Sequence, residues 1–199
     1  MKKGAKRRRV SRAHDWCTPQ IYVDAVKEFW GGKISLDPCS NQWSLVHAEM
    51  EYTMPRLNGL RKTWEYPTIF VNPPYGLDVK RHTSIKNWLL RCAEANEKYS
   101  SEVIALIPVA TNTSHWKEAI FGKAQAVCFL YETRVKFLEA GEPAGRGAPM
   151  ACCLVYWGHR KEEFINQFMK FGAVVDLSTL IGVPIGTVIE NTEEDEGIS

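Results

Sequence analysis

Five consecutive apolar residues, from Val103 to Ile107, are the segment that most limits how this chain can fold. A strand that is apolar at every position leaves no face for water, so it is typical of a mainly parallel sheet with helices on both sides. The run Thr68–Val71 is also rich in β-branched and aromatic residues, which favour strands. Both runs therefore predict central strands of one sheet, at residues 102–108 and 68–71.

Helical and strand-like patterns alternate along the rest of the chain. Residues 84–99 and 162–171 place apolar side chains at helical spacing, and residues 114–121 predict a shorter helix capped by Ser114. Further strands are predicted at 33–37, 47–52, 126–132, 134–138, 151–157 and 174–177. The alternation predicts a doubly wound α/β sheet, and the short turns between the later strands predict an antiparallel edge.

The charge distribution divides the chain into three parts. Residues 1–12 carry seven of the 25 Lys and Arg residues, and residues 190–199 carry five acids. We therefore expect a basic disordered arm at 1–13, a single domain at 14–180 and an acidic, largely disordered tail at 181–199. The arm either binds nucleic-acid phosphates or serves solubility alone. No run of 18 apolar residues occurs, so we expect no membrane span.

Six cysteines show no Cys-x-x-Cys spacing, and the histidines do not cluster with them. This pattern predicts reduced thiols of a cytoplasmic protein, with neither zinc nor disulfides.

Asn72-Pro73-Pro74-Tyr75 follows directly on the predicted strand 68–71. In an open α/β sheet, ligands bind beyond the carboxyl ends of the strands. The two prolines stiffen the loop, so the Asn72 side-chain oxygen and the Pro73 carbonyl become two fixed acceptors, and Tyr75 offers a ring for stacking on a base. These groups suit an enzyme that holds a planar exocyclic amine by positioning and electrostatics. The alternative is a rigid turn with no chemistry.

Other segments offer groups for an amino-acid-like or nucleoside cofactor. Thr18 and Pro19 predict the N-cap and first residue of a helix, whose N-terminus and hydroxyl suit a carboxylate. Asp37, at the end of a strand, either accepts from an amino group or is only a turn acid. Asn58 either meets an adenine amine or is a turn residue. A Gly-x-Gly fingerprint is missing from the strand end at Asp37.

The order of these segments resembles the small phage and prophage Dam-type DNA N6-adenine methyltransferases, over about residues 15–157. The resemblance rests on the following segments: Trp16-x-Thr18-Pro19, Leu36-Asp37-Pro38-Cys39-Ser40, Tyr52-Thr53, Asn58-Gly59-Leu60, Trp64, Phe70-Val71-Asn72-Pro73-Pro74-Tyr75-Gly76, Trp88, Leu106-Ile107-Pro108, Trp116, Arg134-x-Lys136-Phe137 and Ala148-Pro149.

This resemblance implies a Rossmann-like class I methyltransferase sheet that binds S-adenosylmethionine and methylates N6 of a flipped adenine in double-stranded DNA, inside a bacterial host cell and without a metal. The implied catalytic residues are Asn72, Pro73, Pro74 and Tyr75. The implied cofactor residues are Trp16, Thr18, Pro19, Asp37, Pro38, Cys39, Ser40, Asn58 and Asn72. The candidates for DNA contact are Lys80, Arg81, Arg134, Lys136 and Arg146.

Two positions stay open within the resemblance. Asn58 stands where the family usually has an acid, although an amide oxygen accepts the same hydrogen bond. Glu49 and Glu51 are both candidates for the acid expected to bind the ribose at the end of the second strand. An amino-methyltransferase of the same fold that acts on RNA or protein glutamine, and a non-enzymatic nucleic-acid-binding module, are the alternative functions.

Overall fold

The structure is a computed structural model that describes residues 16–53, 56–79, 81–131, 134–143 and 147–180. The strands within these ranges are β1 (Trp16–Cys17), β2 (Leu36–Ser40), β3 (Met50–Thr53), β4 (Thr68–Val71), β5 (Glu102–Pro108), β6 (Ala126–Leu130), β7 (Leu138–Glu139), β8 (Glu142–Pro143), β9 (Cys152–Trp157) and β10 (Gly172–Asp176). The α-helices there are α1 (Gln20–Phe29), α2 (Ile85–Tyr99) and α3 (Lys161–Phe168), with a 3-10 turn at Gly59–Arg61 and a π-helical turn at Trp116–Ile120. The predicted basic arm and acidic tail lie outside the described residues.

Seven strands form one sheet in the order β10-β6-β9-β5-β4-β2-β3. The neighbours β3-β2, β2-β4 and β4-β5 are parallel, whereas β9 runs antiparallel to both β5 and β6, and β10 runs antiparallel to β6. Five of the strands (β2 to β6) therefore point the same way, with β9 inserted among them. The predicted α/β architecture is confirmed, and the antiparallel strands fall in the later part of the chain as expected.

Helices cover both faces of the sheet, because β4 and β5 carry buried apolar side chains on both faces. Ile69 and Val71 of β4 join the core beneath α2 and the π-helical turn, whereas Phe70 between them joins the core beneath α1 and α3. Strand β5 alternates in the same way, with Val103 on the first face and Ile104 on the second. This three-layer packing stabilises a rigid sheet and leaves only its strand ends free to carry a site.

Four local predictions are wrong. Ser114 does not cap the π-helical turn, whose N-cap is His115. Residues 134–137 are not a strand, because β6 pairs with β9 and β10 and leaves no hairpin partner for this segment. Strand β2 covers Leu36–Ser40 and not residues 33–37. Thr18 does not cap α1, since Pro19 is the N-cap and makes no side-chain capping bond. The Pro19 carbonyl accepts instead from the backbone N–H of Tyr22, 3.0 Å away.

A second small sheet ties the amino-terminal part of the chain to the segment before β9. Strand β1 pairs antiparallel with β7, and β7 pairs with β8. The pairing Trp16↔Glu139 and Cys17↔Leu138 holds the chain just before α1 beside the end of the main sheet. This sheet was not predicted, because each of its strands has only two residues and carries no periodic signal.

A partly buried ion pair lies at the end of the sheet opposite to the carboxyl ends of the parallel strands. The Glu102 carboxylate, at the start of β5, accepts from the Arg160 Nε at 3.1 Å and 3.0 Å and from the Tyr156 hydroxyl. Burial opposes ionisation of Glu102, but the hydrogen bonds from Arg160 and Tyr156 outweigh it, so the pKa of the carboxyl is lowered. This network is a structural feature, remote from the end at which the site lies.

No helix in the described part of the chain is long and apolar enough to span a membrane.

Candidate active site

A cavity of about 590 Å³ opens where β2, β3 and β4 end. Pro38, Cys39 and Ser40 line it from β2, Thr53 lines it from β3, and Asn72 and Pro74 line it from the loop after β4. Its volume lies within the range of about 300–1,000 Å³ typical of small-molecule sites. The structure thus brings together, around one cavity, the two segments predicted separately to bind a cofactor and to perform chemistry.

The loop after β4 fixes Asn72 at the wall of this cavity. Strand β4 is buried and pairs with both β2 and β5, so its end cannot move freely. Pro73 is buried, while Pro74 faces the cavity. The Asn72 Nδ2 donates to the Thr18 Oγ1 at 3.1 Å, and the Asn72 Oδ1 accepts from the Tyr75 hydroxyl at 3.1 Å. Hydrogen bonds to Thr18 and Tyr75 therefore hold both ends of the amide.

Tyr75 points inward in this structure. Its hydroxyl also lies 3.1 Å from the Leu106 carbonyl, as a donor, and its ring meets Trp16 and Phe137 edge-on at centroid distances of 6.1 Å and 6.0 Å. Burial raises the pKa of the hydroxyl well above its ordinary value, so Tyr75 remains a neutral donor at physiological pH. The predicted stacking on a base is thus not the arrangement of the side chain here, where Tyr75 is part of an aromatic cluster.

Trp16 and Phe137 form the rest of that cluster. Their rings stack at a centroid distance of 5.2 Å and an interplanar angle of 15°. Trp16 also lines the cavity, while Phe137 is buried next to the exposed Lys136. The cluster thus brings the Trp16 and Phe137 segments, which are far apart in the sequence, into contact with Tyr75 of the Asn72 loop.

Thr18 is 3% exposed and lies beneath the Asn72 amide. It lines a small cavity of about 10 Å³ together with Asp37, Ser40 and Asn72. Thr18 was predicted to contact the cofactor through a helix N-terminus, but the hydroxyl is engaged by Asn72 and α1 begins only at Gln20. Pro19 lines neither the large cavity nor the small one.

Asp37 is a buried carboxyl in the second position of β2, 4% exposed. Its Oδ1 accepts from the Cys39 backbone N–H at 3.1 Å. The pKa of Asp37 is raised to about 7, chiefly because burial desolvates the carboxyl; the hydrogen bond from Cys39 opposes this rise, and the nearby Glu51 carboxylate adds to it. A carboxyl in this state gains from a cationic partner, because such a partner would replace the lost hydration. Burial likewise raises the pKa of the Cys39 thiol.

The turn at Asn58 and Gly59 packs directly on the end of β2. A Cβ at Gly59 would lie 1.8 Å from the Pro38 carbonyl oxygen, so only glycine fits. The buried Trp64 donates through Nε1 to the Gly59 carbonyl at 2.9 Å and holds the turn in place. The Asn58 side chain accepts from the Leu60 N–H at 3.1 Å as the cap of the 3-10 turn.

Asn58 does not line the large cavity. It lines a neighbouring cavity of about 370 Å³ with Arg61, Arg81 and Arg91. In this structure Asn58 therefore acts as a turn residue, which is one of its two interpretations.

Neither candidate acid for the ribose lines the large cavity. Glu49 precedes β3 and forms an exposed ion pair with Lys33 at 3.3 Å. Glu51 lies within β3 opposite Asp37, and its carboxylate accepts from the Ala48 N–H at 3.2 Å. The residue that ends β3 at the cavity is Thr53, whose hydroxyl is a neutral hydrogen-bonding group.

Of the described candidates for DNA contact, only Arg81 lines the cavity. Arg81 lines both cavities and forms an ion pair with Asp78 at 2.5 Å. Arg134 and Lys136 are exposed and alternate with the buried Val135 and Phe137, so this segment presents its charges outward. The other two candidates, Lys80 and Arg146, lie outside the described residues.

Several cavity residues were missed by the sequence reasoning. Trp43 and Trp88 add aromatic walls, and Gln42, Arg56 and Thr83 add polar groups. Trp43 is positioned by its backbone N–H, which donates to the Asn41 Oδ1 at 2.9 Å. Gln42, Trp43 and Arg56 lie a few residues beyond predicted strand ends, which was their only signal. Thr83 and Trp88 lie well beyond the end of the strand at 68–71 and carried no such signal. All six cysteines are free thiols, and among the described residues no group of three or more His, Cys, Asp or Glu could hold a metal ion.

Comparison with known families gives a match over most of the chain. The family model described as DNA N-6-adenine-methyltransferase (Dam) matches residues 6–180. No curated protein and no solved structure matches the chain.

Proposed function

Because this chain belongs to the DNA N-6-adenine-methyltransferase (Dam) family, we propose that it transfers a methyl group from S-adenosylmethionine to the N6 atom of adenine in DNA. The observation that carries this proposal is the single cavity lined by both Pro38–Ser40 and the Asn72 loop. A methyl donor and an acceptor amine must meet in one space, and this cavity offers room for both groups at the carboxyl ends of the parallel strands.

The residues around the cavity suit S-adenosylmethionine. Asp37 is a desolvated carboxyl next to the small cavity and fits the ammonium group of the methionine moiety. Ser40 and Thr53 supply hydroxyls, and Trp88 supplies an apolar wall. When bound, the cofactor supplies an electrophilic methyl group on a sulfonium.

Asn72 is the residue proposed to prepare the acceptor amine. The N6 lone pair of adenine is delocalised into the ring, and no ordinary side chain deprotonates that amine at neutral pH. An acceptor aimed at an N6 hydrogen favours a pyramidal nitrogen with a localised lone pair. The Asn72 Oδ1 is one such acceptor, and the Pro73 carbonyl is proposed as the second. Because a proline follows each of these two residues, the backbone that carries both oxygens is restricted before the base arrives.

An adenine paired inside a duplex cannot reach this cavity, so the target base must be flipped out at a cost of a few kcal/mol. Trp16 and Trp43 line the cavity and offer aromatic faces to the flipped base, and stacking of this kind contributes about 1–3 kcal/mol per base. Tyr75 can join them only if it leaves its bond to the Leu106 carbonyl. Arg81, Arg134 and Lys136 are proposed to contact the DNA phosphates around the cavity.

The proposed substrate is tested with labelled cofactor. The purified protein is incubated with methyl-labelled S-adenosylmethionine and, separately, with duplex DNA, RNA and a mixture of proteins, and the nucleosides are then analysed by mass spectrometry. We expect N6-methyladenine in the DNA reaction alone. Transfer to RNA or protein only would assign the same fold to a different acceptor and overturn the proposal.

Cofactor affinity should depend on pH through Asp37. Burial raises the pKa of this carboxyl to about 7, and only its ionised form attracts an ammonium group. Below about pH 7 the affinity for S-adenosylmethionine should therefore fall, approaching tenfold per pH unit.

The folded chain without cofactor binds more protons at Asp37 than the unfolded chain between about pH 4 and pH 7, so its free energy of unfolding should decrease as pH rises through that window.

Calorimetric titration with S-adenosylmethionine from about pH 5 to pH 8 measures how the cofactor affinity depends on pH. Asp37→Asn is the matched variant. The variant should bind more weakly at high pH and show a nearly flat profile. A wild-type profile that is equally flat would show that Asp37 does not meet the cofactor ammonium.

A further inference from the structure

We infer that Thr18 is a positioning residue that holds the Asn72 amide with its oxygen on the side where the substrate amine must bind. This inference rests on the proposed function and adds to it a residue that touches neither the base nor the reacting methyl group. It replaces the cofactor role that the sequence predicted for Thr18.

The need for such a residue follows from the chemistry of an amide. Asn72 carries an acceptor and a donor of nearly the same size, and rotation by about 180° about the terminal bond exchanges them. With the oxygen presented, the amide attracts an N6 hydrogen. With the NH₂ group presented, two donors face each other and the amine is repelled. Catalysis therefore requires neighbours that keep one of the two orientations.

The structure shows one neighbour at each end of the amide. Nδ2 donates to the Thr18 Oγ1 at 3.1 Å, while Oδ1 accepts from the Tyr75 hydroxyl at 3.1 Å. Thr18 is 3% exposed, so water cannot readily take its place. Its backbone is restrained by β1 on one side, which pairs with β7, and by Pro19 on the other. The Thr18 hydroxyl thus has a restrained position and, in this structure, accepts from the nitrogen end of the amide.

Tyr75 differs from Thr18 in having an alternative acceptor. Its hydroxyl lies 3.1 Å from both the Asn72 Oδ1 and the Leu106 carbonyl, and it has only one proton to donate. When a substrate amine approaches Oδ1, the Tyr75 proton can turn fully to Leu106 and leave that oxygen to the amine, without movement of the backbone. Thr18 alone then continues to hold the amide.

The first test compares Thr18→Val with Thr18→Ser. Valine keeps the shape of threonine but puts a methyl group against the Asn72 NH₂, whereas serine keeps the hydroxyl. We expect Thr18→Val to lower kcat for DNA methylation by about 10- to 100-fold and to change the Kd for S-adenosylmethionine by less than about threefold. Thr18→Ser should restore most of the rate. A Thr18→Val variant as fast as the wild type would overturn the inference.

The second test separates orientation from simple packing by repeating the Thr18→Val change in an Asn72→Asp background. A carboxylate has two equivalent oxygens, so it has no wrong orientation for Thr18 to prevent. We expect the loss of kcat caused by Thr18→Val to shrink to about threefold or less in that background. An equally large loss in both backgrounds would show that Thr18 acts through packing alone. If Asn72→Asp transfers no methyl group, failure of serine to restore the rate would by itself contradict the inference.

Failure of the inference is distinguishable from failure of the proposed function. Wild-type protein that makes no N6-methyladenine refutes the function, whatever the variants do. Wild-type protein that is active together with a fully active Thr18→Val variant refutes only the role of Thr18. Thermal unfolding of each variant, with and without cofactor, shows whether a loss of rate comes from loss of the folded state.

Discussion

Replacement of Asn72 by alanine is expected to lower the rate of methyl transfer by about 100- to 1,000-fold, the usual cost of removing one preorganised polar group from an active site. The side chain lines the cavity and supplies the acceptor proposed for the N6 hydrogen. S-adenosylmethionine should still bind, because Pro38, Ser40 and Thr53 are untouched. The effect should thus appear in kcat and not in cofactor affinity.

Two variants control this measurement. Asn72→Asp keeps an acceptor at the same place and should retain much more activity than alanine. Asn166→Ala makes the same chemical change at an exposed position of α3 and should behave as the wild type. Turnover by Asn72→Ala within about threefold of the wild type would remove Asn72 from the mechanism.

Gly59→Ala is expected to disrupt the cofactor end of the cavity. The added Cβ would lie 1.8 Å from the Pro38 carbonyl oxygen, so either the 3-10 turn or the end of β2 must move. Overpacking of this kind costs roughly 1–3 kcal/mol of stability. Because Pro38 lines the cavity, we also expect the affinity for S-adenosylmethionine to fall by about tenfold or more.

Urea unfolding and calorimetric titration of the purified variant measure both effects. Gly76→Ala is the matched control for stability, because a Cβ at that position meets no atom within 4 Å. Its free energy of unfolding should stay within about 0.5 kcal/mol of the wild-type value. Unchanged stability and unchanged cofactor affinity in Gly59→Ala would contradict the packing of this turn on β2.

The parts of the fold that could be predicted from sequence are those in which burial decides every position. The residue range of β4 and that of β5 agree with the prediction, since each strand contains a continuous run of buried apolar residues. Helix α2 begins one residue later than predicted, because Ser84 is its N-cap and forms a capping box with Asn87. Edge segments such as residues 134–137 carry the same residue types, but no pattern in the sequence specifies their partner.

The candidate site could likewise be predicted only in part. The Asn72 loop and the Pro38–Ser40 segment could be placed together, because parallel strand ends share one edge of the sheet. The contact between Thr18 and Asn72 could not be predicted. The two residues lie 54 positions apart in the sequence, and β1, the strand just before Thr18, has only two residues and no sequence signature. The inward direction of Tyr75 depends on the Leu106 carbonyl, which a local motif does not reveal.

The most direct test of this account is a crystal structure with a non-transferring analogue of S-adenosylmethionine. The account predicts that the analogue lies in the 590 Å³ cavity, with its amino group at Asp37 and the atom that replaces the sulfonium facing the Asn72 amide. An analogue bound elsewhere on the chain, with the Asn72 loop facing no ligand, would contradict it.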